Sequence, residues 1–196
     1  MTDKAGLFSI INKYNCVFAR EEHRTVPLAS YLHRNTTDQL YNRKNFDGHI
    51  TTSAFIIDEG KEEILLLHHK SLGKWLQPGG HTEKDDSFVA SALREVVEET
   101  GISNLHLHYQ PVHPDVDVPF DVDSHYIPPN PRKNEEGHYH HDLRYVFFYS
   151  GDRTNDFNTD EATAMQWLAF DKLTDDAIFG IVVSKLRTFL ATIRPV

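Results

Sequence analysis

A chain of 196 residues is long enough for one domain with a substantial core and an appended segment. Its 25% charged and 39% hydrophobic residues are the composition of a folded chain rather than a disordered one. A net charge of −9 argues against a general binder of nucleic-acid backbones, which needs a basic stripe, yet allows a small phosphorylated substrate, because a bound divalent cation reverses the local field.

The chain opens with "MTDKAGLFSIINKYN", which lacks a basic stretch followed by an apolar one, and no apolar run approaches membrane-spanning length. Cys16 is the sole cysteine, so no disulfide forms within the chain. A cytoplasmic protein without membrane contact is expected. In residues 1–48, Leu7, Ile10, Ile11, Tyr14 and Phe18 recur at helical spacing, and "VPLASYLHRN" predicts a short helix after Pro27. "TTDQLYNRKNFDGH" is a polar connector ending at Gly48. These residues make a helical arm that packs on the main domain, 49–196, or on a second subunit to give a homodimer.

From His49 the texture changes. "HITTSAFIID" and "EILLLHH" predict a β-hairpin across "DEGKEE", and "GKWLQPGG" a loop or short strand. A helix is predicted from Asp86 to Thr100, capped by Asp85 or Asp86 and stopped by Gly101. "NLHLHYQ" alternates like a half-buried strand, residues 111–142 show no period and are expected as a long loop, and "LRYVFFYSG" and "AMQWLAF" are strands. A C-terminal helix is predicted from about Thr174. The fold class is α/β (α+β), a mixed sheet with few helices.

Within "LQPGGHTEKDDSFVASALREVVEETGI", three acids crowd the last turn of the predicted helix. Carboxylates there oppose the helix dipole at a cost of about 0.3–1 kcal/mol each, and like charges at i,i+3 and i,i+4 add repulsion of about 0.2–0.5 kcal/mol per pair. Val89, Leu93, Val96 and Thr100 fall on one face, while Glu95, Glu98 and Glu99 share another. A hard divalent cation such as Mg²⁺ or Mn²⁺ takes oxygen ligands, and Gly79 and Gly80 allow close backbone approach, so a main-chain carbonyl could join the set.

The stretch resembles the signature of the Nudix hydrolase family, carried by Gly80, Asp86, Arg94, Glu95, Val96, Glu98, Glu99, Gly101 and Ile102. With "WLQPGG" and "MQWLAF" the likeness extends over residues 49 to about 172. It implies the Nudix fold, a mixed sheet sandwiched between helices. It also implies a metal-dependent hydrolase that cleaves a diphosphate linkage in a nucleoside diphosphate joined to another group. On that likeness Glu95, Glu98 and Glu99 match the metal ligands, the Gly79 carbonyl completes them, and Arg94 orients the glutamates. Glu161, six residues before Trp167, matches an acid that binds metal or activates water, leaving Glu98 and Glu161 as candidate general bases. Asp86 stands where the family usually has Glu, and Asp85 or Glu83 could serve instead. The other reading is a ligand sensor on the same fold that has lost catalysis.

The insertion holds Asp115, Asp117, Asp121, Asp123, His125, His138, His140, His141 and Asp142. If extended, His138 and His140 point to one side and Tyr139 and His141 to the other. Such clusters can bind transition metals, and a polar loop with packed histidines is equally open. Substrate contact is the expected use: Arg144 pairing with phosphate, His140 beside it, and His81 near the glycine turn. The partner is a small nucleotide-type substrate, and nucleic acid is disfavoured because no basic run exceeds Arg132-Lys133.

Overall fold

The computed structural model describes residues 2–58, 60–131, 134–153, 157–176 and 178–193; the Arg132-Lys133 pair lies outside the described residues. Helix α1 (Lys4–Val17) buries the expected stripe of Leu7, Ile10, Ile11 and Tyr14, and stops before Phe18. Helix α2 (Glu22–Arg34) begins ahead of the position predicted from Pro27 and carries that proline inside. Pro27 forfeits one backbone hydrogen bond, but Leu28, Tyr31 and Leu32 just beyond it are fully buried, each worth roughly 1.5–3 kcal/mol. The connector contains one helical turn, α3 (Thr37–Leu40), closed by a capping box between Thr36 and Gln39.

Strand β1 (His49–Asp58) organises the sheet. It turns back on β2 (Glu63–His69) as the predicted hairpin, Ile57 opposite Ile64. β3 (Lys74–Leu76) pairs with β2, and the short β4 (Gly79–His81) runs antiparallel along the first half of β1. Helix α4 (Phe88–Thr100) follows, then β5 (Leu107–Tyr109), β6 (Asp121–Ile127) and β7 (His138–Tyr149). β7 lies parallel to β1 and carries β5 and β6 antiparallel, while β8 (Ala162–Ala169) returns to β2. Helices α5 (Phe170–Leu173) and α6 (Gly180–Ile193) complete the fold around an eight-stranded mixed sheet.

Alternation along the strands decides what each face holds. Ile50, Ala54 and Ile56 join Leu143, Tyr145 and Phe147 under α1, α2 and α4, so the arm shares one core with the sheet. On the opposite face Phe55, Ile57, Val146 and Phe148 pack under α5 and α6. The same face changes character toward the start of β1 and β7, where the buried residues are polar: His49, Thr51, Ser53, His138, Asp142 and Arg144. That polar end positions the site.

Three expectations need correction. Residues 111–142 are not one long loop: β6 pairs with β7 from Asp121 opposite Arg144 to Ile127 opposite His138. The alternation of "DVDSHYI" was hidden because its inward residues are polar, serving the site rather than an apolar core. Helix α4 starts at Phe88 with Ser87 as cap, its hydroxyl accepting from the Ala90 amide at 3.1 Å, so neither Asp85 nor Asp86 caps it. Helix α6 starts at Gly180 rather than near Thr174, because the Asp176 carboxylate accepts from the Ile178 and Phe179 amides and holds the preceding residues in a turn.

Candidate metal and phosphate site

The site is built where α4 crosses β4. Both glycines lie in an extended strand and serve by leaving room. A Cβ on Gly79 would stand 2.7 Å from Ser53 Cα and Thr52 O, and one on Gly80 would stand 2.7 Å from the Glu95 carboxylate. Strand and helix therefore approach closely enough for the Gly79 amide to donate to Glu99 Oε2 at 3.1 Å. Gly101, at φ 66°, ends α4 in the left-handed conformation expected of it.

The helix face differs from the sequence expectation in one respect. Glu99 is buried with Phe88, Ser91, Ala92, Val96 and Thr100, while Val97 is exposed. Burial pushes the Glu99 carboxyl well above the usual range; the Gly79 amide opposes this, and Glu161 and Glu95 add to it. Burial likewise raises Glu95, to about 7, against the pull of Arg94, with Glu98 and Glu161 contributing repulsion. Partly buried carboxylates with raised pKa values are a donor set short of positive charge, and oxygen-only donors fit Mg²⁺ or Mn²⁺. Glu95, Glu98, Glu99 and the Gly79 carbonyl are the groups that would hold such an ion.

Arg94 sits among these acids, donating to Glu95 Oε1 at 2.9 Å, to Glu98 Oε2 at 3.1 Å and to the His81 carbonyl at 2.9 Å. Its other partner is Asp85, at 3.1 and 3.3 Å. Burial works to raise the Asp85 carboxyl, but the hydrogen bonds from Arg94, the Glu83 amide and Ser91, with the Arg94 charge, together hold the group below its ordinary value. Asp86, the residue aligned by motif spacing, is exposed one position further on. The structure thus brings Asp85, not Asp86, to the arginine.

Glu161 reaches the same place from the start of β8. Its carboxylate lies near that of Glu99 and helps to raise it, and it lines a cavity with Gly79, Gly80, Glu99, His140 and Arg144. Of the residues read as substrate contacts, His140 and Arg144 therefore border the cavity, whereas His81, the last residue of β4, is outside its lining and turns its Nε2 to within 2.9 Å of Nε2 of His49. Arg144 is deeply committed: Nε donates to Asp142 at 2.9 Å, Nη1 to Asp121 at 3.2 Å and Nη2 to Asp123 at 2.7 Å. Asp142 in turn accepts from Thr51 at 3.1 Å and Ser53 at 2.7 Å. The sequence did not single out His49, Thr51 or Ser53, which look like ordinary strand residues until the register places them on the polar face.

Known proteins bear out this architecture. The sequence profile of the NUDIX domain matches residues 47–186. Phosphatase NudJ of Escherichia coli is 40% identical over 70 residues, 35% of this chain and 44% of its own length, so the likeness spans less than half of that relative. Among solved structures, a NUDIX-family hydrolase from Clostridium perfringens aligns with TM-score 0.54 and 21% identity over 76% of this chain and 99% of its own. The Ap4A hydrolase of C. elegans, in a binary complex, aligns with TM-score 0.53 and 19% identity over 73% and 98%. These two likenesses are of fold. No helix among the described residues is long and apolar enough to cross a membrane. With a profile match over most of its length, and with the glycine strand set against the glutamate helix, the chain belongs to the Nudix hydrolase family.

Proposed function

We propose that this protein is a metal-dependent hydrolase that cleaves a diphosphate linkage in a nucleoside diphosphate joined to another group. The observation that carries this reading is the convergence of Glu95, Glu98, Glu99 and Glu161 beside Gly79 and Gly80, with Glu99, Glu161 and both glycines lining one cavity. A bound Mg²⁺ or Mn²⁺ would supply charge neutralisation at phosphate oxygens and a lowered pKa for attacking water. The chain's own residues do the rest. Arg94 fixes Glu95 and Glu98, and Asp85 fixes Arg94. Glu98, exposed at the helix end, and Glu161 are the two candidates to take the proton of the water, a contribution typically of about 10²–10⁴-fold. Arg144, with each guanidinium nitrogen given to an aspartate, holds the cavity wall rather than offering a free fork to phosphate. The activity named for the C. elegans neighbour, on Ap4A, supports a nucleotide-type substrate. The acidic charge and single cysteine fit a cytoplasmic setting.

The test is hydrolysis of ADP-ribose, dinucleoside polyphosphates, NADH, nucleotide sugars, nucleoside triphosphates and coenzyme A with Mg²⁺ or Mn²⁺, beside Glu98→Gln. Metal-dependent turnover of at least one compound, lost in the variant, is expected. Absence of turnover on all of them with metal still bound would replace the hydrolase by a ligand-binding module.

A further inference from the structure

Five histidines converge on the polar end of the sheet from four strands: His49 of β1, His81 of β4, His125 of β6, and His138 and His140 of β7. Register puts them together. His49 and His125 each lie opposite His140, and His81 lies opposite Thr51, two residues along β1 from His49. Alternate residues of a strand share a face, so all five belong to one side of the sheet. Their ring centroids close up accordingly, 4.6 Å for His49–His140, 4.9 Å for His49–His138 and 5.1 Å for His138–His140.

We propose that His49, His138 and His140 form a second metal site, distinct from the glutamate cluster, that takes a divalent transition ion of the zinc class. One ring nitrogen from each of these residues lies within 4.8 Å of the others. Nε2 of His138 is 3.2 Å from Nε2 of His140. Two imidazole nitrogens bound to one tetrahedral ion at about 2.0–2.1 Å stand roughly 3.4 Å apart, close to that separation. Nδ1 of His138 lies 2.7 Å from the Glu136 carbonyl, which only accepts, so the proton sits on Nδ1 and Nε2 keeps its lone pair. His125 repeats the arrangement beside them, with Nδ1 2.8 Å from the Asp123 carboxylate. Backbone carbonyls and carboxylates that accept from the far nitrogen are the supports that orient metal-bound histidines. A cluster held only by shared protons leaves Nδ1 of the buried His49 without a well-formed hydrogen bond.

Donor chemistry separates the two sites. Imidazole suits Zn²⁺, Co²⁺, Ni²⁺ and Cu²⁺, whereas carboxylate and carbonyl oxygens suit Mg²⁺ and Mn²⁺. Three protein ligands leave a coordination position open. His140 lines the same cavity as Glu99 and Glu161, so that position borders the space where a phosphate or water oxygen would lie.

The test uses the full chain, stripped with chelator and titrated with Zn²⁺ and Co²⁺ in excess Mg²⁺. Binding of about one ion per chain is expected, with the visible absorption of tetrahedral Co²⁺ and imidazole scattering in X-ray absorption. Glu98→Gln should keep that ion, and His138→Gln and His140→Gln should lose it while retaining the circular dichroism of the metal-free parent. Since a histidine variant could misfold, the ligand set of the unaltered protein decides independently. Oxygen-only ligation, an ion lost with Glu98, or no binding above the Mg²⁺ background would overturn the proposal.

Discussion

Arg94 is gripped from two directions, and the grip on one side comes from a residue that motif spacing passes over. Asp85 meets the guanidinium at 3.1 and 3.3 Å, a two-point contact that fixes the plane of the fork facing Glu95 and Glu98. Asp86 is exposed beside it. Groups that orient metal ligands without touching the metal are typically worth about 10–100-fold in affinity or activity. Asp85→Asn is therefore expected to lower Mn²⁺ affinity and kcat/KM by roughly that factor, and Asp86→Asn by less than about twofold, as for most surface changes. Parallel titration and kinetics of the two variants decide. Equal losses, or a larger loss at Asp86, would return the role to the residue that the signature aligns. Counting residues through a loop gives an acid's place only to the nearest neighbour, since the loop between β4 and α4 can shift by one without moving either element.

At the scale of elements, the acidic helix was legible for a physical reason. Carboxylates placed against the dipole and against one another need an external explanation, and a long motif supplied it. Its glycines were legible only as permissive residues, and the structure separates their duties. Gly79 faces backbone, Ser53 Cα and Thr52 O, whereas Gly80 faces only the carboxylate end of the Glu95 side chain. Gly79→Ala must push β4 off β1 and is expected to cost about 1–3 kcal/mol of stability, the usual range for overpacking. Gly80→Ala needs only to displace a carboxylate. It should weaken divalent-ion binding while leaving the urea midpoint nearly unchanged. Identical stability losses in the two would show that Gly80 serves the fold alone. The stretch before β7 was illegible for the opposite reason. Strand patterns are recognised by apolar alternation, and β6 alternates Asp121, Asp123 and His125 inward to Arg144 and His140. Polar residues facing a site imitate a loop.

The whole molecule is tied together at one carboxylate. Asp121, 1% exposed, lies 2.9 Å from Arg24 of α2, 3.2 Å from Arg144 of β7 and 3.6 Å from Lys185 of α6. Lys185 also reaches Glu21, at 2.5 Å, in the turn between α1 and α2. The arm, the sheet and the last helix thus share a buried ionic junction, and the arm also shares an apolar core with the sheet. The change of texture at Gly48 marks a boundary in sequence, and the physical question is whether the arm also unfolds apart from the rest. A continuous core and a buried junction predict that it does not. Trp75 and Trp167, the only tryptophans, both lie beyond residue 48, so their fluorescence follows the sheet while circular dichroism also follows the arm helices. In urea the two signals should change at one midpoint. Asp121→Ala strips the shared acid from three cations, and removal of one partner of a buried ion pair costs about 3–5 kcal/mol. The expected outcome is an unfolding free energy lowered by that amount, read as a lower urea midpoint, with the two signals still coincident. A helical signal lost before the fluorescence, in either protein, would make the arm a separate cooperative unit and the junction a local contact.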